Sequence, residues 1–122
     1  MTAVPGIPGV NMDVRYTLYN GDTDLYIFTL ESFVKNTPEA ISRIQNISKD
    51  TLSDYTYTIH AFKSMAAAIG AQDISEKAER LEIMAKAHDL RGVLTENAEF
   101  LECLEILLHN VKNWLKTHGK KP

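Results

Sequence analysis

Residues 52–70 read LSDYTYTIHAFKSMAAAIG, and this stretch decides the fold. Stepped at about 100° per residue, it separates into the two faces of one helix. The apolar face, which predicts contact with a core, carries Leu52, Tyr55, Ile59, Phe62, Ala66 and Ile69. The opposite face carries His60 together with polar or small side chains, namely Ser53, Thr56, Tyr57, Lys63, Ser64 and Ala67. We therefore expect an amphipathic helix that ends at Gly70 and presents His60 to water.

Three further stretches repeat this helical spacing of apolar residues, approximately at 23–48, 73–89 and 93–117. A shorter helix is expected over 11–19, because Asn20-Gly21 provides a stop signal. No stretch shows the alternating pattern of a β-strand. Four long amphipathic helices joined by short turns predict an all-α fold, an antiparallel up-down-up-down four-helix bundle over residues 11–118 with a short N-terminal cover helix.

Local signals refine the helix ends. Asp22 or Thr23 can cap the first long helix, Asp50 can cap the helix that carries His60, and Gly92 separates the last two helices. Thr37-Pro38 falls inside the first long stretch, where proline either starts a new helix or kinks an existing one. The apolar faces before and after this proline stay near one side of the wheel, which favours one kinked helix.

The first ten residues differ from the rest of the chain. They contain Pro5-Gly6 and Pro8-Gly9, a composition that does not support a helix. Residues 1–10 are therefore predicted to be a flexible leader or linker. Such a segment favours a domain that ends a longer, multidomain protein over a stand-alone one.

Composition excludes several classes of function. The 122 residues suggest one domain, and the formal charge of −3 comes without the clustered basic face of a nucleic-acid-binding protein. No apolar run approaches the ~20 residues of a membrane span, and no signal peptide is visible. The one cysteine, Cys103, lies in an apolar helical segment, which predicts a buried, inert thiol in a reducing cytoplasm. His88 falls near a helix end, where a cation is favourable, so a capping role is expected.

The stretch around His60 resembles the histidine-containing phosphotransfer domain of bacterial multistep phosphorelays. The motif of that family is His-x-Leu-Lys-Gly followed by small residues and an aliphatic-Gly pair, and the residues in register with it are His60, Lys63, Ala66, Ala67, Ala68, Ile69, Gly70 and Ala71. Similar positions continue downstream to Leu81-Glu82 and Asp89, so the resemblance spans about residues 7–117. Phe62 replaces the leucine of the motif, and Ser64 replaces the glycine that follows its lysine, one turn after the histidine.

This resemblance implies a function and a set of site residues. His60 would be the phosphoacceptor, exchanging a phosphoryl group with the aspartyl phosphate of response-regulator receiver domains, and Lys63 would stabilise the charge of that group. Tyr57, Ser64 and Ala67 would form the receiver docking face. Mg²⁺ is expected on the receiver, with no metal or cofactor on this chain. We further expect a monomer linked covalently to a hybrid sensor histidine kinase, with no contact to nucleic acid or membrane.

Two other interpretations remain open. A phosphate-independent helical interaction module would make His60 incidental, and Ser64 is its best support. A small hydrolase with His60 as general base is the weaker alternative, because no nucleophile and orienting acid accompany the histidine. The chain also lacks a Gly-rich nucleotide motif, so it is not expected to phosphorylate itself from ATP.

Overall fold

The computed structural model describes residues 6–118 and contains five helices. They are α1 (Val14–Thr17), α2 (Thr23–Arg43), α3 (Leu52–Ile69), α4 (Gln72–Lys86) and α5 (Leu90–His118). Around the bundle α3 packs against α4, α4 against α5, and α2 against both α5 and α3. Residues 6–118 include no strand, so the predicted all-helical bundle is confirmed. None of the helices in this range is both long and apolar enough to cross a bilayer.

The core is built from the apolar faces that the sequence pattern identified. Tyr55, Ile59 and Phe62 of α3 are each at most 1% exposed, and they meet equally buried side chains of the other three long helices, among them Leu30, Phe33, Leu81, Phe100 and Leu104. The rings of Phe62 and Phe100 pack edge to face at 6.0 Å. Burial of this face leaves the opposite side of α3, which includes His60, at the surface.

A buried polar link fixes how α3 is oriented in the bundle. The Tyr55 hydroxyl donates to Oδ1 of Asn97 on α5 over 2.8 Å, and Nδ2 of Asn97 donates to the Ile44 carbonyl after α2 over 2.8 Å. Burial raises the pKa of Tyr55 well above its ordinary value, so the hydroxyl stays protonated and can donate. The link joins three helices on the side of α3 away from His60.

The N-terminal segment packs more closely than predicted. Ile7, inside the range predicted to be a flexible leader, is only 3% exposed and belongs to the core. The Asn11 amide donates to the Gly70 carbonyl over 2.8 Å, and a side chain at position 70 would collide with Asn11. Gly70 also has φ of 89°, which glycine adopts without strain. The leader prediction therefore fails at Ile7, while residues 1–5 lie outside the described residues.

The first long helix is continuous, as predicted, with Pro38 inside it. Proline has no N–H, so the carbonyl four residues before Pro38 lacks its usual helical donor. One residue earlier, the buried Thr37 hydroxyl donates to the Phe33 carbonyl. The helix nevertheless ends at Arg43 and not near Ser48, so its predicted end was wrong.

The structure confirms the predicted cap of α2 and corrects two other predictions about helix ends. Asp22 caps α2 by accepting from the Leu25 amide over 3.0 Å, as predicted. Thr51, not Asp50, is the cap residue of α3, and its hydroxyl accepts from the Ser48 amide over 2.8 Å. Gly92 lies inside the first turn of α5 because Asp89 accepts from its amide over 2.9 Å, so it does not separate α4 from α5. Local signals thus located the turns but misplaced the cap of α3 and the boundary between α4 and α5.

Candidate functional site

The site begins with the exposed face of α3. The His60 side chain is 59% exposed and Tyr57, one turn earlier, is 80% exposed. Ser64 and Ala67, on the turns after His60, are also exposed. These four residues were predicted to lie on the solvent-facing side of the helix. The structure confirms this, because the opposite face of α3 packs into the core. His60 stands between an aromatic side chain and two small ones.

A buried carboxylate lies beneath His60, and the sequence analysis gave it no role. The Glu82 side chain on α4 is only 5% exposed. Its Oε2 lies 2.7 Å from Nδ1 of His60, and its Oε1 accepts from Nζ of Lys63 over 2.8 Å. Nζ of Lys86 lies 3.3 Å from Oε2. Glu82 thus brings His60 and Lys63 together and adds Lys86 to the cluster.

The charges of this cluster support one another. Burial raises the pKa of Glu82, but hydrogen bonds from Lys63, His60 and Lys86 outweigh burial and lower the pKa to about 2. The same hydrogen bond to Glu82 raises the pKa of Lys63. Glu82 is therefore an anion and Lys63 a cation throughout the neutral range. A buried carboxylate with three cationic or polar partners is satisfied and strongly oriented.

The contact with Glu82 selects the tautomer of His60. An ionised carboxylate can only accept hydrogen bonds, so Nδ1 of His60 must carry the proton that is donated to Oε2. In the neutral ring the lone pair then resides on Nε2. Within residues 6–118 no hydrogen bond engages Nε2, and the side chain is more than half exposed. In its neutral form the imidazole therefore presents the lone pair of Nε2 to a partner at the surface.

An open groove of about 760 Å³ runs beside His60, between the N-terminal half of α3 and the C-terminal end of α4. Its lining includes Lys49 and Asp50 before α3, Tyr57 on α3, and Lys86 and His88 at the end of α4. It is a shallow surface feature and not an enclosed substrate pocket. Across residues 6–118 no group of three or more His, Cys, Asp or Glu side chains could hold a metal ion.

Two other predicted assignments need correction or refinement. His88 follows α4 in a left-handed conformation with φ of 58°, and its side chain makes no hydrogen bond within the described range, so it is not a capping side chain. Cys103 is partly buried against the core, not fully buried.

Comparison with known proteins decides the family. Residues 29–114 match the family model described as Hpt domain, which covers well over half of the chain and includes every residue of the cluster around Glu82. This chain belongs to the Hpt family. The resemblance inferred from the motif at His60 is therefore confirmed.

Similarity to a known phosphorelay protein supports the same family. This Hpt domain is 30% identical over 104 residues to the phosphorelay protein LuxU of Vibrio harveyi, and the match covers 85% of this chain and 80% of that protein. No solved structure matches it significantly. Family and relative together place this Hpt domain in the phosphotransfer of two-component phosphorelays.

Proposed function

We propose that this Hpt domain carries a phosphoryl group on Nε2 of His60 and exchanges it with the aspartyl phosphate of response-regulator receiver domains. The observation that supports this most is the 2.7 Å contact between Nδ1 of His60 and Oε2 of Glu82. It leaves Nε2 as the unprotonated, accessible nitrogen, which is what a nucleophile requires.

The transfer step follows from this tautomer. The lone pair of Nε2 attacks the phosphorus in line, the new P–N bond forms, and the P–O bond to the receiver aspartate breaks. The aspartate leaves as a carboxylate with the bonding electron pair. The ring keeps its proton on Nδ1 and so gains positive charge, which the anion of Glu82 stabilises directly. No proton leaves, so the reverse transfer to a receiver aspartate requires no proton to be returned to the ring.

Lys63 contributes positive charge near the reacting group. Its Nζ is bound to Oε1 of Glu82, and the side chain is 29% exposed. In this position it offsets the carboxylate charge that would otherwise repel an incoming phosphoryl group. It also holds Glu82 in the orientation that His60 uses. Lys63 acts in the proposal through charge and position, and not as a proton carrier.

The docking face in this proposal consists of Tyr57, Ser64 and Ala67 around His60. The small side chains allow close approach of the receiver, and Tyr57 offers a large exposed aromatic surface of the type enriched in interfaces. Mg²⁺ belongs to the receiver in this scheme. In this scheme the domain acts in the cytoplasm as a monomer, either alone or joined covalently to a sensor kinase.

Phosphoryl transfer from a labelled receiver tests the proposal. Wild type should gain an acid-labile, alkali-stable phosphate when mixed with a phosphorylated cognate receiver, and His60→Gln should gain none while keeping its helical circular dichroism. His109→Gln, which changes an exposed histidine on α5, is the matched control and should accept label like wild type. Labelling of His60→Gln at the wild-type rate would refute the assignment. Binding of the receiver without any transfer would favour a phosphate-independent interaction module.

A further inference from the structure

His88 has a left-handed backbone conformation, which is uncommon for residues other than glycine. It follows α4 at the position where the chain turns out of the helix, with φ of 58°. The amide of Asp89 donates to the Met84 carbonyl over 2.9 Å, and the amide of His88 donates to the Ala85 carbonyl over 3.0 Å. This pattern is a helix end at which glycine is strongly preferred, because a Cβ is disfavoured in the left-handed region.

No contact in the described part of the chain shows that the imidazole of His88 stabilises the fold. Within residues 6–118 the His88 side chain is exposed and makes no hydrogen bond, ion pair or ring contact. Residues other than glycine are uncommon in the left-handed region, and such positions cluster at functional sites. The contacts within residues 6–118 therefore assign no structural role to this imidazole.

The location of His88 suggests what it contacts. It lines the same groove as His60, together with Lys86 from the Glu82 cluster. A protein that brings a phosphorylated aspartate to Nε2 of His60 contacts the end of this groove that His60 and Tyr57 line. His88 offers a polar ring, able to donate and accept, at the end of the groove where α4 stops.

We propose that His88 is a specificity-determining contact for the receiver domain, whose surface occupies the groove beside His60. This inference rests on the proposed function, since it takes the phosphorylated receiver as the occupant. His88 does not touch the reacting atoms in this scheme. Its loss should weaken docking and leave the chemical step intact, since rim contacts contribute to recognition more than to chemistry.

The test compares two positions with left-handed backbones. Asn20, with φ of 51°, lies between α1 and α2 and does not line the groove. The variants His88→Gly and Asn20→Gly should both fold with a melting temperature at or above that of wild type, because each removes the same strain. His88→Asn keeps a residue that tolerates this conformation while removing the ring.

Transfer kinetics then separate the two positions. His88→Gly and His88→Asn should raise the receiver concentration at half-maximal rate by roughly threefold or more, with the saturating rate constant unchanged. Asn20→Gly should change neither value. An unchanged half-saturation in both His88 variants, while wild type still transfers, overturns the role of His88 alone. Absence of transfer to wild type from any phosphorylated receiver overturns the proposed function and this inference with it.

Discussion

Nδ1 of His60 lies 2.7 Å from Oε2 of Glu82, so an exposed imidazole on one helix is held by a buried carboxylate on the next. The arrangement resolves a physical conflict. A nucleophilic histidine must be accessible, yet an exposed side chain on a helix surface is free to rotate. Anchoring one ring nitrogen to a rigid, buried partner orients the ring while the other nitrogen stays available.

The first prediction concerns the charge of Glu82. Glu82→Gln keeps an acceptor for Nδ1 but removes the negative charge that stabilises the phosphorylated ring. Transfer to His60 should slow by on the order of 10–100-fold, because one preorganised electrostatic contact is lost. Single-turnover transfer from a phosphorylated receiver measures this rate, and ¹⁵N chemical shifts of His60 should show a smaller fraction of the tautomer protonated on Nδ1. Glu102→Gln, at an exposed position of α5, is the control and should match wild type.

The second prediction concerns pH and stability. The pKa of Glu82 is lowered from 4.5 to about 2 in the folded state, so its ionisation stabilises the fold above about pH 4.5. This contribution is lost as the pH falls from about 4.5 towards 2, and it amounts to about 3 kcal/mol at ~1.36 kcal/mol per pKa unit. Urea unfolding at pH 6 and pH 2.5 should show the stability advantage of wild type over Glu82→Gln shrinking across this range. An advantage of equal size at both pH values would contradict the charge assignment.

The sequence predicted the bundle and the exposed side of α3 because both follow from periodicity. Leu52, Ile59 and Phe62 leave little choice about which face is buried. Glu82 was missed for a related reason. It lies on the face of α4 that Ala78 and Ala85 bury, where a charged residue signals a partner. The sequence pattern alone does not identify the side chain on another helix that is the partner of Glu82.

Helix ends were harder to predict than helix faces. Asp50 and Thr51 are both good capping residues, and the choice between them depends on the Ser48 turn that precedes α3. Ile7 shows the same limit at longer range. Its neighbours Pro5-Gly6 and Pro8-Gly9 indicate a non-helical segment, which does not decide whether that segment packs against the bundle.

The third prediction concerns Lys63. Lys63→Ala should slow transfer by roughly 100-fold without abolishing it, if the lysine acts as one electrostatic donor to the transition state. Lys63→Arg should restore part of the rate, since it returns the positive charge. Lys77→Ala removes a lysine of α4 that pairs with the exposed Glu99 and serves as the control, with wild-type rates expected. Rates measured at saturating receiver separate this chemical effect from weaker docking. Wild-type rates in Lys63→Ala would exclude the role.

The fourth prediction concerns the link that orients α3. Tyr55→Phe leaves Oδ1 of Asn97 buried without its donor, which should lower the free energy of unfolding by about 1–3 kcal/mol. Tyr57→Phe removes the same hydroxyl from a side chain that is 80% exposed, and its stability should be within about 0.5 kcal/mol of wild type. Denaturant unfolding of the two variants gives the comparison. Equal destabilisation by both changes would show that the buried hydrogen bond contributes no more to stability than the exposed hydroxyl of Tyr57.

The last prediction concerns Ser64, which stands one turn after His60 on the exposed face of α3. Ser64→Gly removes a side chain from the docking face, so transfer from a phosphorylated receiver should be unchanged or faster. The same change places glycine inside a helix, which should lower the free energy of unfolding by roughly 0.5–1 kcal/mol. Ser64→Ala keeps the helix propensity and removes only the hydroxyl, so it separates the effect of bulk from that of hydrogen bonding. Slower transfer in both variants would mean that the Ser64 hydroxyl itself contacts the receiver or the phosphoryl group. Slower transfer in Ser64→Gly alone, together with a lower melting temperature, would instead trace the loss to a less rigid helix around His60.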